Sequence, residues 1–291
     1  MRVLIIGASG YLGTAISERL AERGHEIVEL TRPTSAGSGR GNERRVGDMT
    51  DPASLTAAVT PDIDAVINLA GPTGDAAADA AAITALTEPL RGTGRAFVYT
   101  SGVWVLGATG AGTADERTPV NPLPIVGYRP DIERQVLAAA ADGVRATVIR
   151  PGIVHGRGGG IPALLVSLAA KHGAPRFVGD ESVRWPMVHV DDLADLFALV
   201  VEKADPGTLW HGVTETAVPV TDLAAAAGRA VGLTAAPESW PLEQAGAELG
   251  RLFADALALD QSVAGQAARD TLGWTPERPG AVADIQDGSY R

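Results

Sequence analysis

The chain has 291 residues, 45% hydrophobic and 20% charged, with a formal net charge of −11 and no cysteine. That size and balance predict one large or two modest folded domains and argue against disorder. The acidic surplus disfavours a nucleic-acid or anionic-membrane partner, which would want a basic face. The missing cysteine excludes disulfides, thiolate ligands and a cysteine nucleophile, and fits a cytoplasmic location. No apolar run reaches membrane-spanning length, and the chain opens on a core-type strand, so no cleaved signal is expected ahead of it.

Val3-Leu4-Ile5-Ile6 is a short β-branched apolar run, the mark of a strand buried on both faces. It breaks into Gly7, Gly10 and Gly13, and a helical pattern follows from Thr14. Strand, glycine turn and helix point backbone N–H groups and the positive end of a helix dipole at a phosphate. Gly7 suits the tight turn, Gly10 a close approach to a pyrophosphate, and Gly13 close packing of helix on strand. Leu12, Ile16 and Leu20 share one helix face, Gly24 is the expected stop, and a second strand is predicted at Glu26–Leu30. Asp51-Pro52 reads as N-cap and first-turn proline of a further helix. Strands are predicted at Ala65–Leu69, Ala96–Thr100 and Arg145–Arg150, helices at Ala76–Leu90 and Asp131–Ala141, with Asp131 as the second helix's N-cap. Past Pro151 the pattern loosens: a glycine-rich RPGIVHGRGGG, a helix at Asp192–Glu202, a strand at Thr208–Gly212, and helices around Asp222–Val231 and Glu243–Leu259. The alternation predicts an α/β fold, a Rossmann-type doubly wound parallel sheet with a smaller C-terminal substrate lobe. The expected division is a nucleotide domain at 1–155 with returning segments near 186–214, and a substrate lobe at 156–185 and 215–291, with the ligand crevice between them.

The end of the second strand, about 20 residues past the glycines, declares nucleotide preference in such folds. An acid there would suit NAD; this chain has Thr31 followed by Arg32. A hydroxyl and a guanidinium suit a 2′-phosphate, so NADP(H) is expected and NAD is the less favoured cofactor. Arg44 and Arg45 are further positive charges for that corner, and Glu29 would enter it under a shifted register. Asp48-Met49 follows a third strand at the adenine end, and Leu69-Ala70-Gly71 ends the fourth, where small residues let backbone pass close to a ligand.

Taken together, IGASGYLG, VGDMTDPASL, VINLAG, FVYTSGVWVLG, VIRPGIVHGRGGG and RWPMVHVDDLADL resemble the short-chain dehydrogenase/reductase superfamily, in its extended NAD-dependent epimerase/dehydratase branch. The resemblance runs nearly end to end. It implies cofactor contacts at Gly7, Ser9, Gly10, Tyr11, Leu12 and Gly13, and at Pro151 and Ile153 near the nicotinamide. It also implies a catalytic Ser, Tyr and Lys, the last two as Y-x-x-x-K, with tyrosine as acid/base and lysine lowering its pKa and holding the ribose. This chain departs from that set. Gly102 stands where the serine is expected, after Thr100-Ser101, and four residues beyond Tyr128 is Ile132. In the register anchored on Glu133 and Arg150-Pro151, the lysine falls on Arg129 and the tyrosine on Ile125. Arg129 supplies charge for the ribose but is never a proton relay. The resemblance is thus to atypical members that lack the YxxxK pair.

Four residues are the candidates for the chemistry: Thr100, Ser101, Tyr128 as a substitute acid, and His155, where relatives often carry Tyr. The opposing reading for Tyr128 is a half-buried turn residue, and for His155 a packed histidine under the glycine loop. His189-Val190-Asp191-Asp192 has some look of a metal cluster, but Asp191 as a helix N-cap explains it better, and no metal is expected. Trp104, Trp185 and Trp210 would line an apolar substrate or pack in a core, and Arg157 and Arg184 would clamp an acidic group or be surface charge. The expected partner is a small-molecule substrate, with no nucleic acid or membrane, and a homodimer left open as the assembly. Three functions compete: NADP(H)-dependent reduction or epimerisation at a carbonyl or hydroxyl, a redox-neutral isomerase or cyclase, and a non-catalytic nucleotide sensor.

Overall fold

Val3, Leu4 and Ile5 are each 0% exposed, the burial on both faces that a parallel strand between helix layers demands. A computed structural model describes residues 1–32 and 42–291. Strands β1 (Arg2–Ile6), β2 (Glu26–Thr31), β3 (Glu43–Val46), β4 (Ala65–Asn68), β5 (Ala96–Thr100) and β6 (Arg145–Pro151) join the strand Thr208–Gly212 in one sheet. The order is Thr208–Gly212, β6, β5, β4, β1, β2, β3. Neighbours from β6 through to β3 pair in parallel. The order turns around at β1 and β4, so the chain winds outward in both directions from there, and ligands of such sheets bind beyond the strand ends at that point. Helices α1 (Tyr11–Glu22), α2 (Pro52–Ala58), α3 (Ala76–Thr87) and α4 (Arg129–Ala138) are the crossovers. Leu4, Ile6, Val28 and Leu30 alternate onto one face and share a core with Leu55, Ile83, Leu86 and Phe97. The fold class is the doubly wound α/β sheet expected from sequence.

The chain forms two units. The first comprises Met1–Ser101, Tyr128–Arg150 and Ala194–Trp210; the second comprises Gly102–Gly127, Pro151–Leu193 and His211–Arg291. Within the first, Arg150 holds Glu133 through two buried bonds of 2.9 and 2.5 Å. Arg23 and His25 converge on Glu202, with contacts of 2.5–2.9 Å. Within the second, strand Arg184–His189 pairs antiparallel with Glu215–Pro219 and parallel with Ile153–His155. Its core gathers Phe177, Trp185, Met187, Leu223, Leu257 and Ile285. This division differs from the one expected, since 102–127 groups with the second unit rather than with the 1–155 block. No helix among the described residues is long and apolar enough to cross a membrane.

Several local expectations need correction. Where the sequence predicts an N-cap at Asp131, α4 already begins at Arg129, with Pro130 in its first turn. Proline lacks the N–H that a first turn leaves unpaired anyway, so it starts this helix instead of delaying it. The single helix expected over Glu243–Leu259 is two, Leu242–Leu249 and Arg251–Leu257, separated by Gly250 at φ +89°. Asp191 is not an N-cap: its helix runs Val190–Lys203, and Asp191 lies in the first turn.

Candidate functional site

The glycine turn is built by contact between β1 and α1. Gly10 donates its N–H to the Gly7 carbonyl at 3.0 Å. A Cβ on Gly13 would lie 2.1 Å from that same carbonyl oxygen and 2.7 Å from Ala8 backbone, so only glycine fits there. α1 starts at Tyr11, and its first turn carries no acidic side chain to oppose an anion at the dipole's positive end.

Around this turn the first unit holds a cavity of about 690 Å³. Of the residues expected to bind the nucleotide, Gly7, Ser9, Gly10, Thr31 and Arg32 line it, and so do Asp48, Met49, Leu69, Ala70 and Gly71. Tyr11, Leu12, Gly13 and Arg129 are not among its lining residues, and neither are Pro151 and Ile153, which belong to the second unit. Thr50 and Thr73 also line it and were not anticipated, because neither stands in a recognisable motif. Glu29 lines it as well, 1% exposed and accepting from Asn42 Nδ2 at 2.9 Å. The alternation of β2 explains its presence, since residues two apart face the same side.

The positive corner is narrower than expected. Arg45 is turned elsewhere, donating to the Ala58 carbonyl at 2.7 Å and to Asp62 at 2.9 Å, and neither Arg44 nor Arg45 lines the cavity. Asp48 accepts the Thr50 N–H and hydroxyl at 2.9 and 2.7 Å. These two bonds, with a smaller contribution from the Arg32 charge, hold its carboxyl below the usual range. Asp51 caps α2 as expected, accepting the Ser54 N–H at 3.4 Å.

Thr100 and Ser101 end β5, 8% and 5% exposed, and neither hydroxyl has a hydrogen-bond partner. Gly102 has φ −179°, an extended backbone any residue adopts, so the missing serine there is not a demand of the chain path. Ile125 lies in the short 3₁₀ turn Pro124–Val126. Burial raises the Tyr99 phenol's pKa, against an opposing pull from the Arg129 charge. The Tyr128 hydroxyl donates to Asp79 Oδ2 at 2.7 Å and accepts the Gly74 N–H at 3.2 Å. Desolvation and that carboxylate push its pKa up to about 12, so at neutral pH the phenol keeps its proton.

In the second unit His155 is 0% exposed, with Nδ1 3.0 Å from Asp284 Oδ2. A carboxylate only accepts, so Nδ1 carries a proton, and Nε2 has no partner. His189 packs edge-on at 5.0 Å between ring centroids, its Nδ1 accepting the Asp191 N–H at 3.1 Å. Burial and the neighbouring His155 lower the pKa of His189. Ligand atoms of His155, His189 and Asp284 lie within 4.8 Å of one another, a grouping of distant residues that no spacing pattern in the sequence could show. The alternatives left open elsewhere resolve toward structure. Trp185 is 4% exposed and bonds the Leu257 carbonyl, Trp210 bonds Thr208, and Trp104 packs edge-on against Phe253 in the second core. Arg157 pairs with Asp191, and Arg184 with Asp260.

A doubly wound sheet with a cavity at a glycine turn defines the Rossmann class. Residues 3–210 match the family model described as the NAD dependent epimerase/dehydratase family, and the chain belongs to that family. It is 31% identical over 302 residues to the uncharacterized protein C2A9.02 of Schizosaccharomyces pombe, covering 100% of both chains. It is also 31% identical to 2′-dehydrokanamycin reductase of Streptomyces kanamyceticus, over 86% of this chain and 72% of that one. Among solved structures, human epimerase family protein SDR39U1 (isoform 2) with NADPH superposes with a TM-score of 0.78 at 24% identity, covering 99% of each chain. That likeness is one of fold.

Proposed function

We propose that the protein is an NADP(H)-dependent oxidoreductase or epimerase acting on a carbonyl or hydroxyl of a small organic substrate. The observation that carries this is the shared cavity: the Gly7–Gly10 turn and the Thr31–Arg32 corner line the same space. Turn amides and the α1 dipole suit a pyrophosphate, while the Thr31 hydroxyl and Arg32 guanidinium suit a 2′-phosphate. The NADPH named for the human relative's structure and the reductase activity named for the Streptomyces relative support the same reading. The nucleotide, when bound, supplies the hydride acceptor or donor.

In this reading Arg129 faces the ribose. The Thr100 and Ser101 hydroxyls, buried without partners, are the groups to hydrogen-bond a substrate oxygen. In the second unit His155, its Nδ1 3.0 Å from Asp284 Oδ2, is kept as a candidate for the chemistry. One observation favours a second reading, a redox-neutral enzyme or nucleotide sensor: neither Ile125 nor the engaged Tyr128 offers a free phenol.

The test is a screen of carbonyl compounds for NADPH oxidation, followed by Ser101→Ala on any hit. The expected result is turnover, reduced about tenfold or more by the loss of the hydroxyl. NADPH binding with no turnover across the panel would favour the sensor.

A further inference from the structure

The segment leaving β4 supplies four cavity-lining residues, Leu69, Ala70, Gly71 and Thr73. Its residues 71–75 are exposed and have little packing of their own. Two residues from elsewhere in the first unit hold it. Asp79, in the first turn of α3 and 6% exposed, accepts the Thr73 N–H on both carboxylate oxygens, at 3.1 and 3.2 Å. Tyr128, just before α4, donates its hydroxyl to Asp79 at 2.7 Å and accepts the Gly74 N–H at 3.2 Å. The four groups close a ring: two successive amides of the wall, one carboxylate and one phenol.

We propose that Asp79 and Tyr128 are positioning residues for nucleotide binding, which hold residues 71–75 as a preformed wall of the cavity. The tyrosine nearest the family's catalytic position then serves binding instead of proton transfer. This inference rests on the cofactor reading above. The physical reason is preorganisation: a wall already ordered by its own hydrogen bonds loses less freedom when a ligand docks against it. Removing the phenol hydroxyl leaves the Gly74 N–H without its partner and takes one of two donors from Asp79 Oδ2, while keeping the aromatic ring's packing.

The test is calorimetric titration of NADPH into wild type, Tyr128→Phe, Asp79→Asn and the double variant, with amide hydrogen exchange of each. Tyr128→Phe should weaken binding about three- to tenfold, the scale of one hydrogen bond. Asp79→Asn should weaken it at least as much, and the double variant should be no worse than Asp79→Asn, because both act through one ring. Thr73 and Gly74 amides should exchange faster in Tyr128→Phe while β1 and β4 stay protected, and a purely structural tyrosine would not give that local pattern. A lowered Tm with unchanged NADPH affinity would overturn the proposal, as would effects of the two substitutions that simply multiply. Should Asp79→Asn fail to fold, Tyr128→Phe decides alone. If wild type binds neither NADPH nor NADH, the cofactor reading falls and takes this inference with it. If wild type binds NADPH and Tyr128→Phe binds it equally well, only this inference falls.

Discussion

Glu29 and Arg32 put opposite charges on the wall of one cavity, and the balance between them bears directly on nucleotide choice. A carboxylate suits a ribose diol and repels a 2′-phosphate, whereas the guanidinium does the reverse. Glu29→Gln should therefore raise the ratio of NADPH to NADH affinity, by about threefold or more, the scale of one charge–charge contact at close range. Paired titrations of the two nucleotides check it, and an unchanged or lower ratio would remove Glu29 from the discrimination. Arg32 was legible because position along a strand can be counted from the glycines. The partners of Tyr128 and His155 were not. Asp79 stands 49 residues from the tyrosine it engages, and Asp284 stands 129 from His155, separations at which no local pattern operates.

Among the elements, the turn between β1 and α1 has the least tolerance. A methyl on Gly13 would overlap the Gly7 carbonyl and Ala8 backbone, neither of which can move without unmaking the turn. Gly13→Ala should cost about 2–4 kcal/mol of stability, as overpacking against backbone does, and lose nucleotide binding; denaturant unfolding and titration measure both. The helix carrying Glu202 is tied to the end of α1 by Arg23 and to residue 25 by His25. Arg23, the larger cause, and then His25 against the cost of burial, hold the Glu202 carboxyl down from 4.5 to about 2. A depressed carboxyl stabilises the fold above its unfolded pKa, so this contribution is full above pH 4.5 and is lost as pH falls toward about 2. Discounted for partial exposure it is worth about 1–2 kcal/mol. Glu202→Gln should flatten the fall in Tm across that window; a slope equal to wild type would contradict the pair's role. Periodicity found β1, β2, β4, β5 and β6 because each is a largely buried run, whereas β3, Glu-Arg-Arg-Val, is mostly exposed and carries no such pattern. It joined the helices on either side of Gly250 because their apolar pattern runs on through a break that only the backbone angle reveals.

At the scale of the molecule, the two units account for what the sequence could and could not yield. The first is assembled mainly from parallel strands, such as β1, β4 and β5, whose apolar composition is dictated by burial on both faces. The second contains strands such as Ile153–His155 that are too brief to announce themselves, and its helix Gly160–His172 follows directly on a glycine-rich run that masks its start. The proposed nucleotide cavity therefore lies in the legible part of the chain. The central claim is that the cavity at the glycine turn takes NADP(H), with Thr31 and Arg32 at the 2′-phosphate. Calorimetric titration of NADPH and NADH into wild type and Arg32→Ala tests it most directly. NADPH should bind about tenfold or more tightly than NADH to wild type, and Arg32→Ala should bring the two close together. Tighter binding of NADH, or a preference untouched by the loss of Arg32, would contradict it.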